Sequence, residues 1–420
     1  MRKILAFSAY YYPETAASLY LSDNLYEDMA KNGWNVTLLT PTPTRNVDNT
    51  LRNLYKRKRI ELKYNDKLKI IRLHLFRESK STLLRLLRYL IMTTQFFLKC
   101  LIIPADVYFA FSTPPILGFM VGILSKIKKV PFIYSLQDIF PDSMVHTGIT
   151  ENDSIVFRVG RIIENFTYRN ADIIIVISED MRKNLMNKKV PEDKIEVIYN
   201  WVDETAVVPV DRSKNILFDK FNLPRDLFYV VYAGNLGKAQ NIEVILKATK
   251  SLENNNGIKF VIFGGGQDEN FCKEKASSLQ LENLAFFPLQ PYELVSEVYS
   301  LGDVSIVSCK KGHGGSAMPS KTWSIMSTGT PVIASFDEGT DMQRIIEDNK
   351  VGIFTKADDS EELKNAIIKL YSSKELCKEL GINGRLFVNK FLSREVGVLR
   401  YTNCIEEVKK KKRKDSFTPR

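Results

Sequence analysis

The segment GHGGSAMPSKTWSIMSTGTPVIAS (312–335) holds the chain's strongest chemical signal. A glycine-rich loop passes through Pro319 into a helix predicted over Ser320–Ser327; Gly329 stops that helix and a buried strand follows. Such an arrangement brings a helix's first turn, Ser320, Lys321 and Thr322, to the edge of a sheet, where backbone N–H groups suit a diphosphate. A lysine in a first turn opposes the helix dipole, so its presence there points to an anionic partner. YAGNLGKAQN (232–241) is a second, weaker signal of the same kind. Gly234 and Gly237 let the backbone approach a ligand, and Lys238 adds a point charge, although glycine after a strand is common in any α/β fold. KFVIFGGG (259–266) sets Gly265 in a third strand–glycine turn.

The first half carries carboxylates. QDIFPDS (137–143) follows the strand-like PFIYSL and places Gln137, Asp138 and Asp142 at a strand's carboxyl end. Asp138 is the candidate for orienting sugar hydroxyls or assisting a nucleophile; Asp142 and Ser143 read as helix-start residues, with a capping role for Asp142. YYPETAAS (11–18) follows the first strand and precedes a helix, so Glu14, Thr15 and Ser18 are expected on an acceptor loop facing the cleft at the same carboxyl edge. His146 and His313 lie in loops near these motifs, each more readily structural than catalytic. The three histidines and five cysteines are scattered, with no CxxC and no His pair at i, i+4, so neither a metal site nor a disulfide framework is expected.

The elements that must position these residues alternate along the chain. KILAFSA (3–9), NVTLLTP (35–41), KIIRLHL (69–75), DVYFAFS (106–112), PFIYSLQD (131–138), DIIIVIS (172–178) and IEVIYN (195–200) read as strands separated by helices. After a polar stretch near 203–215 the series restarts with FYVVYAG (228–234), KFVIFGGG, LAFFPL (284–289), DVSIVSC (303–309) and PVIAS (331–335). Val- and Ile-rich runs with helices between them indicate parallel strands covered on both faces. The expected fold is α/β, two Rossmann-like doubly wound domains facing each other across a cleft, over residues 1–202 and 203–392. In such sheets ligands bind beyond the carboxyl ends of the strands.

The 420 residues are too many for one ordinary core, and 44% hydrophobic with 26% charged residues is a globular composition. The charge is +11, concentrated in YKRKR (55–59) and KKKKRK (409–414). Such blocks attract polyanions or are solvated faces. The basic 409–420 segment reads as a disordered tail. LLRLLRYLIMTTQFFLKCLII (83–103) is too interrupted by Arg85, Arg88 and Lys99 to span a bilayer; it is a core helix or an amphipathic helix at a membrane surface. The N-terminal apolar run is too short for a signal peptide and reads as a first strand.

In order, YYPE, QDIFPDS, YAGNLGKAQNIE, FGGG, NLAFFPL, LGDVSIVS and PSKTWSIMSTGTPVIASFDEGT resemble glycosyltransferase family 4 of the GT-B fold, nearest its WbuB-like branch in O-antigen and capsule synthesis. The resemblance covers essentially the whole chain. It implies a nucleotide-binding C-terminal domain, an acceptor-binding N-terminal domain, a last helix (about 393–408) packed back on the first domain, and no metal or other cofactor. The implied reaction retains configuration. It moves a sugar, commonly an N-acetylated 6-deoxyhexose such as N-acetylfucosamine, from a UDP-sugar to a polyprenyl diphosphate-linked saccharide. The implied setting is cytoplasmic, peripheral on the inner face of the cytoplasmic membrane, which gives the basic and amphipathic segments an anionic surface to meet.

This chain departs from the family pattern at several positions. Ser316 and Ser324 stand where the family has two glutamates, one of them the ribose ligand. Ser324 retains a hydroxyl for that contact, and Glu338 is the candidate to take over part of the lost carboxylate role, beside Asp138 in catalysis. Asn235 and Gln240 replace the usual diphosphate-gripping Arg and Lys, leaving Lys238 and Lys321 as the cations; Gln137 replaces a histidine. A nucleotide-sugar 2-epimerase and a non-catalytic sugar-nucleotide-binding partner of a polysaccharide assembly complex are the alternatives. Nucleic-acid binding is not expected, because the basic blocks lack interleaved aromatics.

Overall fold

The computed structural model describes residues 2–14, 19–79, 81–146 and 150–417. The chain divides into two compact units, Met1–Tyr199 with Gly397–Arg420, and Asn200–Val396.

Unit 1 runs β1 (Lys3–Phe7), α1 (Leu19–Lys31), β2 (Asn35–Pro41), α2 (Asn49–Arg57), β3 (Ile60–Lys63), β4 (Leu68–Leu73), α3 (Thr82–Cys100) and β5 (Val107–Phe111). It continues with α4 (Ile116–Lys128), β6 (Phe132–Leu136), α5 (Asp142–His146), α6 (Ile155–Asn170), β7 (Ile173–Val176), α7 (Glu179–Asn187) and β8 (Ile195–Val197). The strands order as β3-β4-β2-β1-β5-β6-β7-β8, all parallel except the antiparallel β3 at one edge. Right-handed crossovers place α3, α4 and α6, which advance from β4 to β7, on one face of the sheet and α1 on the other. Gly118 and Gly122 of α4 allow close packing on α6: a Cβ at Gly118 would stand 2.6 Å from Thr167 Cγ2.

Unit 2 runs α8 (Ile216–Lys220), β9 (Phe228–Asn235), α9 (Ile242–Ser251), β10 (Ile258–Gly265), α10 (Glu269–Ser278), β11 (Leu284–Phe287), α11 (Val295–Leu301) and β12 (Val304–Ser308). Then come α12 (Lys321–Ser327), β13 (Val332–Phe336), α13 (Asp341–Asp348), β14 (Gly352–Lys356), α14 (Ser360–Tyr371) and α15 (Lys374–Phe387). Its six strands order as β11-β10-β9-β12-β13-β14, all parallel. Val230, Ile245, Phe260, Ile262, Ile306 and Ile367 are among the buried side chains of its core.

The last helix, α16 (Arg394–Phe417), belongs to unit 1 from Gly397 onward. Tyr401 is buried against Phe109 and shares a 2.9 Å hydrogen bond with Ser135 Oγ, while Lys409 pairs with Asp106 at 2.6 Å. The basic run was expected to be a disordered tail from 409; instead it is helical to Phe417. Lysine and arginine are good helix formers, and a helix anchored as far as Lys409 only has to propagate.

Candidate functional site

In unit 2 the strand order reverses direction between β9 and β12, and a doubly wound sheet opens a ligand crevice at such a switch point. The loops after those two strands meet there. Lys310 N–H donates to Ala239 O at 2.8 Å and Ser308 Oγ donates to Gln240 O at 2.6 Å, stitching one loop to the other. Gly234 takes φ +143°, open to glycine, and Asn235 Nδ2 donates to Gln240 Oε1 at 3.1 Å. Asn235 and Gln240 thus close the loop on each other. Gly237 lies inside this turn, where a Cβ would come 2.8 Å from Asn235 Nδ2. Lys238 is exposed at the start of a single helical turn, and Gly265 accepts the Leu236 N–H at 2.9 Å, joining the neighbouring strand end to the same loop.

Lys321 begins α12 and extends its ammonium over the buried Tyr232 ring, 3.8 Å from the centroid, beside Gly234. Among the described residues no carboxylate lies within ion-pair distance of it. Burial lowers its pKa from 10.5 to about 7, with a weaker opposing pull from Cys309. An amine held in a strand-end crevice, costly to charge and with no carboxylate within ion-pair distance among the described residues, is a candidate functional group. The helix is held from behind: Arg385 of α15 donates to the carbonyl of Ser327, the last residue of α12, and Gly384 packs on Met326. A cation at that end also favours the helix dipole.

Two details of the diphosphate reading change. Thr322 is fully buried, with its hydroxyl inside the unit, and cannot face a ligand at the loop. The N–H groups of Thr322 and Trp323 close the first turn onto Pro319 O and Ser320 O, so this turn offers fewer free donors than an ordinary helix start. Ser320, just before α12, and Ser324 on it remain partly exposed, and Ser316 Oγ donates to His313 O at 3.1 Å within the loop. Glu338 is exposed and pairs with Lys356 at 3.5 Å. Its neighbour Asp337 accepts the N–H groups of Gly312 and Gly314 at 2.8–3.0 Å and so sets the shape of the glycine loop. Sequence reasoning missed Tyr232 and this role of Asp337; the placement of Asp337 directly after a strand was the available signal.

In unit 1 Asp138 is exposed and lines an approximately 300 Å³ pocket with Ser112, Thr113, Pro115, Phe140, Ser143 and Met144, at the carboxyl ends of β5 and β6. Gln137 N–H donates to Ser112 Oγ at 3.0 Å, tying the two loops. Asp142 was expected to cap a helix. Instead its carboxylate joins a largely buried network: Arg161 at 2.5 Å and Lys188 at 2.7 Å, both of which also bind the buried Glu164. Burial works against its ionisation, but Lys188 and Arg161 outweigh that and hold it below the usual carboxylate range. The network fastens the pocket loop to α6 and α7.

Glu14 is likewise corrected. Expected to face the cleft from an acceptor loop, it is instead 3% exposed, accepting N–H bonds from Thr44 (2.8 Å), Arg45 (2.9 Å) and Tyr11 (3.2 Å). Burial raises its pKa, partly offset by those donors. It ties the loops after β1 and β2 together. Thr15 and Ser18 lie outside the described residues, as does the side chain of His146.

Two doubly wound α/β units, one with a lysine over a tyrosine ring at its switch point and one with a pocket lined by Asp138, define the GT-B class of proteins. The chain belongs to the family 4-type glycosyltransferases: residues 22–206 match the Glycosyltransferase Family 4 model and 213–387 the Glycosyl transferases group 1 model. It is 29% identical to the probable glycosyltransferase WbjE of Pseudomonas aeruginosa, over 59% of this chain and 61% of that protein. It is 25% identical to the putative colanic acid biosynthesis glycosyl transferase WcaI of Escherichia coli K12, over 54% of this chain and 56% of that one. The matches thus span somewhat more than half the length of these curated relatives. Anabaena Alr3699/HepE, solved in complex with UDP, shares the fold with a TM-score of 0.71 at 14% identity, covering 97% of this chain and all of that one.

Proposed function

We propose that the protein transfers a sugar from a UDP-sugar to a polyprenyl diphosphate-linked saccharide in the synthesis of a surface polysaccharide, working without a metal at the inner face of the cytoplasmic membrane. The observation that carries the donor half is Lys321, poised over Tyr232 at the switch point with no carboxylate partner among the described residues. A diphosphate there supplies the missing counter-charge, and as the glycosidic bond breaks the ammonium and the Gly234–Lys238 loop stabilise the charge developing on the leaving group. A UDP-bound fold relative and a relative named for colanic acid biosynthesis support this donor and product class.

Asp138 orients sugar hydroxyls from its pocket, and Glu338 assists at the donor side. Retention needs no separate side-chain base, which suits a site whose family glutamates are Ser316 and Ser324. The sugar we infer is an N-acetylated 6-deoxyhexose such as N-acetylfucosamine. The test is UDP release by purified protein from a panel of UDP-sugars, with polyprenyl diphosphate-saccharide in detergent and with EDTA present. Acceptor-dependent release supports the reading, and the preferred donor names the sugar. UDP binding without turnover on any acceptor favours the non-catalytic alternative, for which the two serines are the specific observation.

A further inference from the structure

Four arginines converge where the loops after β1, β2 and β4 meet, at the carboxyl edge of the unit 1 sheet. Arg88 of α3 is fully buried; its Nη2 donates to Thr44 Oγ1 (3.0 Å) and its Nε to Phe76 O (3.3 Å). Its Nη1 is also buried and has no hydrogen-bond partner among the described residues. Arg52 of α2 donates to Leu75 O at 3.1 Å, and its Nε is likewise buried without a partner. Arg77, in the loop after β4, reaches Asn49 Oδ1 at 3.3 Å. Arg45, in the loop after β2, lies over the buried Tyr10 ring, 5.3 Å from its centroid.

Among the described residues none of the four is in an ion pair, because the carboxylates around them are already engaged. Glu61 pairs with Arg72 at 2.8 Å and Lys58 at 3.1 Å. Glu78 pairs with Arg85 at 3.7 Å and accepts the Tyr10 hydroxyl at 3.3 Å, while Asp48 caps α2 through the Leu51 N–H at 2.7 Å. Glu14 is held by its three backbone N–H groups; burial raises its pKa, and Arg88 offsets that only in part. Burial, and then repulsion from Arg77 and Arg88, lowers the pKa of Arg52. Gathering like charges around a buried guanidinium with an unused donor is unfavourable for folding by itself. An arginine fork matches phosphate oxygens, and four of them against Glu14 suit a ligand with more than one negative charge.

We propose that Arg45, Arg52, Arg77 and Arg88 form a phosphate-binding site, occupied in the reaction by the diphosphate that joins the acceptor's saccharide to its lipid. Arg88 is the floor; the exposed Arg45 and Arg77 and the half-buried Arg52 are the rim. The position fits that occupant. The Asp138 pocket lies at the carboxyl ends of β5 and β6, in the sheet order β4-β2-β1-β5-β6. With adjacent strands about 4.8 Å apart, the loops after β2 and β4 stand roughly 14–19 Å along the same edge from the loop after β6. A diphosphate followed by a short saccharide bridges that span and brings its sugar to Asp138. The proposal rests on the lipid-linked acceptor reading, but the anion site is testable apart from it.

The test is calorimetric titration of inorganic pyrophosphate and of geranyl diphosphate into the full chain, with the donor site kept saturated by UDP. Wild type is compared with Arg45→Gln and Arg52→Gln/Arg77→Gln, rim changes that leave Arg88 in place, with circular dichroism and UDP affinity as fold controls. Wild type should bind both probes, and the double variant should bind each at least about tenfold more weakly with UDP affinity unchanged. In transfer assays the double variant's KM for a polyprenyl diphosphate-linked saccharide should rise at least about tenfold, while KM for the UDP-sugar stays within about twofold. An acceptor with a neutral linker in place of the diphosphate should serve wild type and variant equally. A wild type that binds neither probe beside UDP overturns the proposal, as do variants that bind both like wild type. Weakened probe binding with an unchanged acceptor KM sustains the anion site, assigns it to a free phosphate compound and overturns the acceptor's place in it. Weakened probe binding with no transfer to any polyprenyl acceptor sustains the site and sinks the acceptor reading instead.

Discussion

Lys321 predicts an unusual pH dependence of donor binding. With a free-state pKa near 7, about nine-tenths of the molecules carry the ammonium at pH 6 and about one-tenth at pH 8. A bound diphosphate stabilises the charged form and raises that pKa well above 8, so binding near pH 8 takes up close to one proton. UDP-sugar affinity should therefore fall about tenfold from pH 6 to pH 8. A UDP-sugar is the right probe, because its diphosphate diester has no ionisation in this range, whereas free UDP does. Lys321→Met keeps the packing over Tyr232 and removes the charge. It should cost about 1.5–3 kcal/mol of affinity at pH 6, the range for a hydrogen bond to a charged group, and abolish the pH dependence. Stability moves the other way. A lysine whose folded pKa lies below its unfolded value of 10.5 is a penalty that is fully present below about pH 7 and relieved as pH rises toward 10.5. The variant should be more thermostable than wild type at pH 7, by a margin that shrinks toward pH 10. Calorimetry in two buffers of different ionisation enthalpy reads both affinity and proton uptake. Flat wild-type affinity between pH 6 and 8, or equal binding by Lys321→Met, would remove Lys321 from the diphosphate site.

Other expectations follow from neighbouring geometry. Asp138→Asn should abolish transfer while leaving UDP-sugar affinity within about twofold, since the residue lies in unit 1 and the donor loops in unit 2; retained turnover would demote it to a pocket-wall residue. Asp337→Ala frees two glycine N–H groups that hold the 312–314 loop. It should weaken UDP-sugar binding about tenfold with little change in melting temperature, as expected when a preorganised loop is loosened. Glu164→Gln leaves Arg161 and Lys188 without their most buried partner; a loss of about 3 kcal/mol in urea denaturation is expected, and an unchanged midpoint would show the network to be dispensable. Activity should persist in EDTA, and a requirement for added divalent cation would contradict the proposed mechanism.

How much of this was legible in advance depended on whether the signal was local. The strand runs, from KILAF to VIASF, announced themselves through β-branched residues between glycine and polar punctuation, because burial on both faces of a parallel sheet demands such runs. Lys321 was legible for the same reason: its place in a first turn after a glycine loop is a statement about adjacent residues. The short edge strands β3 and β14 were not, being only half-buried and low in contrast with their flanks.

Sequence alone thus determined the alternating α/β order, the strand-end loops and the basic, apolar character of residues 83–103. Tertiary structure decided where each side chain points. Glu14, taken for a cleft-facing carboxylate, is pulled inside by three backbone N–H groups, two of them from 30 and 31 residues away. Asp142, taken for a cap, meets Arg161 and Lys188 only because two later helices pack against its loop. Thr322 is turned inward by the same helix that turns Lys321 toward Tyr232. A side chain's direction depends on helix phase and on partners distant in sequence, and no local pattern of residue types specifies either.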